Sequence, residues 1–170
     1  MTLHSTIGSP LGELLLMGEE SATARGGVAL ASLSMPCQKG AAVVRRGGRR
    51  DDAAFAEVAH QLRAYFDGAV RTFDLEFLPA GSAFQLRVWD ALDEIPYGTT
   101  TTYGQLAKRL GAERAEVRAV GAAIGANPLL VVRPCHRVVG ADGSMRGYAG
   151  GVSRKQDLLI HEGALPPVLI

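Results

Sequence analysis

The feature that most constrains the fold is a change of hydrophobic pattern close to Ser82. Before it, short runs such as LHSTI, GELLLMG and GVALASLSM are separated by Gly, Pro and Ser, which is typical of a strand meander. After it, apolar residues recur at helical spacing. The chain is therefore predicted to be α+β, with an N-terminal strand meander and helix over residues 1–81 and a mostly helical domain over residues 82–170.

Three further segments of the N-terminal half carry predictions. AAFAEVAHQLRAYFDG predicts a helix from Ala53, with Asp51 or Asp52 as its cap and Gly68 at its exit. RTFDLEFL alternates with the period of a half-buried strand. Residues 37–52, rich in Gly and Arg and without periodicity, are predicted to form a mobile surface loop.

Composition narrows the class of protein. A chain of 170 residues with 47% hydrophobic content can bury a good-sized core. It has neither an apolar stretch long enough to span a bilayer nor a signal-peptide pattern at its start, so a cytoplasmic location is expected. With only Cys37 and Cys135, a disulfide framework is not expected, and each cysteine is treated as a reduced thiol.

Charge is unevenly distributed along the chain. Residues 1–97 hold nine basic and twelve acidic residues, a net −3, whereas residues 98–170 hold nine basic and five acidic, a net +4. This asymmetry suits a C-terminal domain that faces a polyanion. Random variation in surface charge is the alternative.

A helix-turn-helix is predicted from YGQLAKRL, the turn GAE and RAEVRAVGAAIGAN. The second helix carries almost no side-chain bulk, since Ala and Gly fill residues 119, 121–123, 125 and 126. Because glycine destabilises a helix interior, something must approach this backbone closely. Either a neighbouring helix or DNA could do so, and Arg118 would project into DNA. Two core helices joined by a short turn remain the alternative.

The sequence RPCHRVV carries the clearest chemistry. Arg133, His136 and Arg137 are cations that lower the pKa of a thiol, although burial of Cys135 would oppose them. On an extended segment Cys135 and His136 point to opposite faces, so we expect a water to relay the proton between them. Glu162, on a helix predicted to have Ser153 as cap and Gly163 as terminator, is the candidate to orient the imidazole. An ordinary helix end is the alternative for HEG.

The segment GSMRGYAGG could accept a flat ligand. Gly147, Gly150 and Gly151 would let the backbone come close, while Tyr148 offers an aromatic face and a hydroxyl. A tight turn without a ligand is the alternative.

From Ala83 to Gly163 the chain resembles the O6-alkylguanine-DNA alkyltransferases, also called methylated-DNA–protein-cysteine methyltransferases. FQLRVWDALDEIPYGTTTTYGQLA, RAVGAAIGANP, PCHRVVG and GYAGGVSRKQDLLIHEG occur in the family's order and spacing. The N-terminal half carries a much weaker resemblance.

The resemblance implies a DNA-repair protein that moves an alkyl group from O6 of guanine in double-stranded DNA to Cys135, once per molecule. It leaves activity on O4-alkylthymine open. His136, acting through water with Glu162, would remove the thiol proton, Asn127 would hold the turn before the acceptor, and Tyr103 would donate toward the departing guanine and turn the nucleotide phosphate. Arg118 would fill the gap left by the flipped base. The remaining implied contacts are Ala119, Gly121, Ala122 and Gly125 with DNA, and Tyr148, Gly150, Val138 and Pro134 in the substrate pocket.

No cofactor is expected, because the protein supplies the nucleophile and guanine is the leaving group. Some family members hold a zinc ion in the N-terminal domain, but His4, Cys37 and His60 are a poor set for a tetrahedral site, so no metal is expected. The protein is expected to be a monomer. Two other functions stay open: a non-catalytic sensor of alkylated bases on the same fold, whose members lack the cysteine, and a cysteine hydrolase of unrelated fold.

Overall fold

The structure is a computed structural model that describes residues 1–38, 40–42 and 48–167. It divides into two compact units, Met1–Ala80 and Gly81–Ile170. The predicted α+β class is confirmed. Over the described ranges, no helix is long and apolar enough to cross a membrane.

The first unit is built on a five-stranded sheet with the order β4-β1-β2-β3-β5. Its centre is the predicted meander of antiparallel strands, β1 (Leu3–Ser9), β2 (Gly12–Glu20) and β3 (Val28–Ser34). Short parallel strands, β4 (Arg49–Arg50) beside β1 and β5 (Glu76–Phe77) beside β3, close its two edges. Gly18 lies at a bulge between β2 and β3, where a Cβ atom would collide with the carbonyl of Ala29.

The predicted N-terminal helix is confirmed as α1 (Ala56–Phe66), preceded by a 3₁₀ turn at Ala53–Phe55. Of the two candidate caps, Asp51 accepts a hydrogen bond from the Ala54 N–H at 3.0 Å. Gly68 ends the helix with a φ of +77°. Residues at helical spacing form a buried apolar face, which consists of Phe55, Val58, Leu62 and Tyr65.

Two predictions in this unit need correction. RTFDLEFL forms a strand only at Glu76–Phe77, because only Ala29 and Leu30 of β3 pair with it. The predicted loop 37–52 is not irregular throughout, since Arg49 and Arg50 pair with Leu3 and His4 as β4. Residues 39 and 43–47 of that loop lie outside the described residues.

The second unit contains four helices and a two-stranded parallel sheet among its described residues. The helices are α2 (Ala83–Asp93), α3 (Tyr103–Arg109), α4 (Val117–Gly125) and α5 (Val152–His161). The strands are β6 (Thr101–Thr102) and β7 (Val138–Val139). Ser82, where the hydrophobic pattern of the sequence changes, caps α2 in a reciprocal capping box with Gln85.

Helices α3 and α4 form the predicted helix-turn-helix, and a 3₁₀ turn at Arg114–Glu116 precedes α4. Helix α4 packs through Val120, Ala123 and Ile124, which are buried. The Trp89 indole of α2 is also buried, and its N–H donates to the Ala123 carbonyl at 2.8 Å. Trp89 is therefore a core residue, as its position in the apolar stripe of α2 predicts.

The start of α5 corrects another prediction. Its cap is Gly151, which has a φ of +94°, and no side chain caps the helix. Ser153 lies inside the first turn and is not the cap, because the glycine-bearing turn at 148–151 already sets where the helix begins. Gly163 ends α5 as predicted, with a φ of +76°.

Candidate active site

The parallel pair β6–β7 positions the site. Thr101 pairs with Val138 and Thr102 with Val139 in parallel, so Tyr103 leaves β6 at the end where β7 also ends, whereas Cys135 lies before the start of β7. Tyr103 directly follows β6 as the first residue of α3, which Thr102 and Gln105 cap. Cys135 lies three residues before β7. The two residues nevertheless lie within interacting distance. Burial, and then the nearby Cys135, raise the pKa of Tyr103, and the Lys155 ammonium that acts on Cys135 lies 5.9 Å from the centroid of the Tyr103 ring.

Cys135–Arg137 forms a 3₁₀ turn and not the extended segment expected from the sequence. The turn closes through a hydrogen bond from the Arg137 N–H to the Pro134 carbonyl at 3.1 Å. Every residue from 131 to 140 is buried, including the predicted pocket residues Pro134 and Val138. The acceptor candidate thus lies on a turn inside the unit.

His136 and Glu162 are brought together as predicted. His136 Nε2 lies 2.9 Å from Glu162 Oε2, and both side chains have 0% exposure. Burial lowers the pKa of His136 below its ordinary value, while the hydrogen bond to Glu162 acts in the opposite direction. His136 Nδ1 is buried and has no hydrogen-bond partner among the described residues. The imidazole is therefore neutral, with one nitrogen bound to a carboxylate and the other available as a base.

Asn127 holds the turn between α4 and the cysteine. Its amide donates to the Leu129 carbonyl at 3.1 Å and to the Arg133 carbonyl at 3.4 Å, while its Oδ1 accepts from the Leu129 N–H at 3.0 Å. Val131, inside this turn, has a φ of +69°, which is unfavourable for a β-branched residue. Such a conformation costs about 1–3 kcal/mol and persists only where surrounding contacts impose it.

Burial dominates the electrostatics of Cys135. It raises the pKa of the thiol to about 11, against the hydrogen bond of Asn127 and the charges of Lys155 and Arg133, which lower it. Of the two opposing effects that the sequence indicates for this thiol, burial is therefore the stronger in the resting protein. Arg137 is bound to Glu162, and His136 carries no charge.

Lys155 belongs to the site although the sequence analysis did not single it out. Its side chain is fully buried, and its ammonium donates to the carbonyls of Val138 at 2.6 Å, Arg146 at 2.8 Å and Gly147 at 3.4 Å. Burial lowers the pKa of Lys155 to about 8. A signal was present, because Lys155 occupies the same face of α5 as Leu158, Leu159 and Glu162. A charged residue on an apolar helix face indicates a specific partner.

The predicted pocket residues Tyr148 and Gly150 lie in the segment that precedes α5. The Gly151 N–H donates to the Tyr148 carbonyl at 2.9 Å, and Arg154 donates to the Gly150 carbonyl at 3.1 Å. Tyr148 is half-buried and Gly150 is buried. Lys155 binds the same segment at Arg146 and Gly147, so α5 fixes the backbone on both sides of Tyr148.

The slim helix α4 leaves its small residues uncovered by the rest of the unit. Arg118, Ala119, Ala122 and Gly125 are exposed, and Gly121 is half-buried. Outside the helix itself, no atom of the described residues lies within 4 Å of a Cβ atom placed on Gly121 or Gly125. Internal packing of the described chain therefore gives no reason for glycine at these two positions.

Possible metal ligands are dispersed. Over the described residues, no group of three or more His, Cys, Asp and Glu side chains is arranged to hold a metal ion. Cys37 is exposed and has a φ of +59°, while Cys135 is buried.

Comparison with known proteins identifies the family. Residues 83–164 match the model of the 6-O-methylguanine DNA methyltransferase DNA-binding domain, and residues 2–79 match the ribonuclease-like domain of the same family. The chain belongs to the 6-O-methylguanine DNA methyltransferase family. The match extends over the N-terminal unit, where the sequence analysis found only a weak resemblance.

Individual relatives within this family cover nearly the whole chain. A methylated-DNA–protein-cysteine methyltransferase of Mycolicibacterium paratuberculosis is 45% identical over 95% of this chain and 93% of its own. One from Methanosarcina acetivorans is 42% identical over 92% of this chain and 95% of its own. The crystal structure of Mycobacterium tuberculosis OGT in complex with DNA has a TM-score of 0.84 at 42% identity, over 95% of this chain and 93% of that one.

Proposed function

We propose that this protein repairs DNA by transferring the alkyl group of O6-alkylguanine to Sγ of Cys135, once per molecule. The observation that carries the proposal is the buried hydrogen bond between His136 and Glu162 beside a buried cysteine, in a chain of this family. Two relatives of similar length bear the name of this activity, and a third was crystallised with DNA.

The reaction begins at the thiol proton. Because burial holds the pKa of Cys135 near 11, the thiol is neutral at physiological pH and needs a base. The Glu162 carboxylate accepts a hydrogen bond from the N–H at His136 Nε2, which leaves the lone pair of Nδ1 to accept the thiol proton through a bridging water. Glu162 then stabilises the imidazolium that forms.

The alkyl group moves in a single displacement. As the bond from Sγ to the alkyl carbon forms, the bond from that carbon to O6 breaks, and its electron pair stays with guanine. The departing guanine takes a proton from the Tyr103 hydroxyl. Burial raises the pKa of Tyr103, so this hydroxyl keeps its proton until it is needed. The proton removed from Cys135 replaces the one that Tyr103 gives, and the thioether that remains is not hydrolysed.

The exposed face of α4 is the proposed contact with double-stranded DNA. An O6 atom inside a duplex cannot be reached for in-line attack, so the nucleotide must be flipped out, at a cost of a few kcal/mol. Arg118 fills the gap in the base stack, and Tyr103 turns the nucleotide phosphate. The remaining contacts are Ala119, Gly121, Ala122 and Gly125 with DNA, and Tyr148, Gly150, Val138 and Pro134 around the flipped base.

The domain assignment follows from these roles. Residues 82–170 form the DNA-binding and alkyl-acceptor domain, and residues 1–81 form the N-terminal α+β domain.

The proposal also includes the setting in which the protein acts. The protein needs no cofactor or metal ion, acts as a monomer, and works in the cytoplasm.

Mass spectrometry after incubation with an O6-methylguanine oligonucleotide tests the function. The protein should gain one methyl group on the peptide that contains Cys135 and repair at most one lesion per molecule. Cys135→Ser should bind the same DNA and leave the lesion intact, because a serine hydroxyl is a poor nucleophile under the same activation. Cys37→Ser is the matched control and should keep full activity, since Cys37 is exposed and lies in the other unit.

Three results would contradict the proposal. Methyl found on Cys37 would show that Cys37 and not Cys135 is the acceptor. Repair of well more than one lesion per protein molecule would indicate an enzyme that turns over. Tight binding of alkylated DNA with no methyl transfer would indicate a sensor.

A further inference from the structure

Arg137 makes the most complete set of charged contacts in the site. Its guanidinium binds the Glu162 carboxylate through two parallel bonds, Nε to Oε1 at 2.8 Å and Nη2 to Oε2 at 2.9 Å. Its third arm, Nη1, donates to the Ile95 carbonyl at 2.6 Å, just beyond the end of α2. The side chain is 9% exposed and its carboxylate partner 0%. Such a two-point contact fixes both the position and the plane of the carboxylate.

The single negative charge of Glu162 is therefore shared between Arg137 and His136. Oε1 is occupied by Arg137, and Oε2 is shared between Arg137 and His136 Nε2. A carboxylate buried to this degree without a cation would take up a proton or draw one onto a neighbouring group. Because the guanidinium of Arg137 compensates the negative charge of Glu162, His136 can stay neutral beside this carboxylate.

We propose that Arg137 is a positioning residue that keeps Glu162 ionised with Oε2 toward His136, and thereby keeps His136 neutral and able to act as the base. The inference rests on the proposed alkyl transfer, in which a neutral His136 accepts the thiol proton. Arg137 acts through Glu162 and does not touch the reacting atoms.

Charged and titratable groups reach His136 from α5, from the residue that follows it and from the 3₁₀ turn of His136 itself. Glu162 follows α5 and Lys155 lies on it, while Cys135 and Arg137 are its neighbours in the 3₁₀ turn. Burial, Arg137 and Lys155 lower the pKa of His136, and Glu162 raises it. Removing the charge of Arg137 would leave Glu162 uncompensated, so the His136–Glu162 pair would bind a proton at higher pH. A protonated pair cannot accept the proton of Cys135.

The test is an NMR titration of the His136 ring nitrogens in the full-length protein, which reads the proton on the pair whether or not alkyl transfer occurs. In Arg137→Met, proton uptake by the pair should move upward by about one to three pH units. In a plot of methyl-transfer rate against pH, the fall in rate on the acidic side should move upward by the same number of pH units. Arg137→Lys keeps the charge but loses the two-point contact, so the titration should stay low while the rate falls at every pH.

Two further variants isolate the charge. Arg137→Met combined with Glu162→Gln removes both charges, so the titration should return to low pH. Arg133→Met is the matched control, because Arg133 is equally buried but binds Asp93, Asn127 and the Trp89 ring. It should leave the His136 titration unchanged.

Arg137→Gln, which keeps a donor for the carboxylate without the charge, replaces Arg137→Met if that variant does not fold. Folding is checked by Trp89 fluorescence and by binding to unmodified duplex. An uncharged variant, Arg137→Met or Arg137→Gln, that folds, loses activity equally at every pH and titrates like the parent protein would overturn the inference. Failure of the parent protein to accept methyl would instead overturn the proposed function and leave the titration result standing.

Discussion

At Cys135, burial and hydrogen bonding act on the thiol in opposite directions, and burial is the stronger. It holds the pKa near 11, although Asn127, Lys155 and Arg133 all favour the thiolate. A thiol in this state is a weak nucleophile toward reagents in solution. It becomes strong only when a base inside the site removes its proton, so reactivity is tied to the correct binding of a substrate.

His136→Phe and Glu162→Gln test that base at the level of single residues. We expect His136→Phe to slow methyl transfer by roughly 100-fold or more, the usual contribution of a general base, and Glu162→Gln to slow it less. Duplex affinity should stay near normal, since both side chains are buried and neither faces a phosphate. Single-turnover kinetics and a binding titration measure the two quantities separately.

The exposed His60, changed to Phe, is the control for these variants. If affinity for DNA fell in step with the rate, both residues would be structural and not part of a proton relay.

The individual contacts differ in how far the sequence could predict them. The partnership of His136 with Glu162, 26 positions apart, could be predicted because a histidine base needs a group that orients it, and the family resemblance implies the same pair. Arg137 was expected to act on the thiol, but it binds Glu162, because a 3₁₀ turn directs consecutive side chains differently from a strand. No local pattern specifies which buried anion a nearby arginine will reach.

Lys155→Met tests the buried ammonium. Loss of the donors would leave the carbonyls of Val138, Arg146 and Gly147 without their partner, so we expect the unit to be destabilised by about 2 kcal/mol or more. Amide hydrogen exchange should rise most in residues 141–151, where α5 no longer holds the backbone. Lys108 is exposed on α3, so Lys108→Met is the control. It should change neither the stability of the unit nor the hydrogen exchange of residues 141–151. Unchanged exchange in 141–151 would show that other contacts hold this segment.

At the scale of elements, α4 illustrates what sequence patterns predict well. The helix, its end before Asn127–Pro128 and its slim character all follow from local residue types. The sequence leaves open whether a neighbouring helix or DNA approaches the backbone of α4. Among the described residues, none packs close to Gly121 or Gly125, which favours DNA at these two positions. The turn at Cys135–Arg137 and the start of α5 could not be predicted, because buried surroundings and not local propensity set both.

Ala122→Leu tests the slim face of α4. Leucine is a good helix former and Ala122 is exposed, so the unfolding free energy should change by less than about 0.5 kcal/mol. Affinity for duplex DNA should fall at least tenfold if this face enters a groove, because the added side chain holds the helix away from the bases. Methyl transfer from free O6-methylguanine base should be unaffected, since it needs no groove contact.

The same substitution at Ala56, exposed at the start of α1, is the control and should not weaken DNA binding. Equal loss of duplex affinity in both variants would show a nonspecific effect of surface leucine.

At the scale of the whole molecule, the charge asymmetry is smaller at the surface than the sequence suggests. Residues 98–170 carry a net +4, but three of their nine basic residues, Arg133, Arg137 and Lys155, are buried and bound to groups inside the unit. A count of charges along the sequence does not distinguish these three buried cations from the exposed ones. Any attraction to phosphate must come from the rest, such as Arg118 and Lys108.

Burial of a neutral histidine makes the stability of the Gly81–Ile170 unit depend on pH. The pKa of His136 is lowered in the folded state, whereas the unfolded chain has the ordinary value of about 6.5. Below that value the unfolded state binds more protons than the folded state, so stability is present above about pH 6.5 and is lost as pH falls toward the lowered folded value. Asp93, whose pKa is raised by burial, acts in the opposite direction as pH rises through and above its ordinary value.

We therefore expect the free energy of unfolding of this unit to fall by up to about 1.4 kcal/mol between about pH 7.5 and pH 5.5, the effect of one proton over this range. Trp89, the single tryptophan of the chain, is buried in the unit, so its fluorescence in denaturant titrations follows this transition. His136→Asn should lower the stability at both pH values but remove the difference between them. His60→Asn, exposed in the other unit, should keep the difference. A pH dependence that survives in His136→Asn would assign it to another group and show that His136 is not held neutral by the fold.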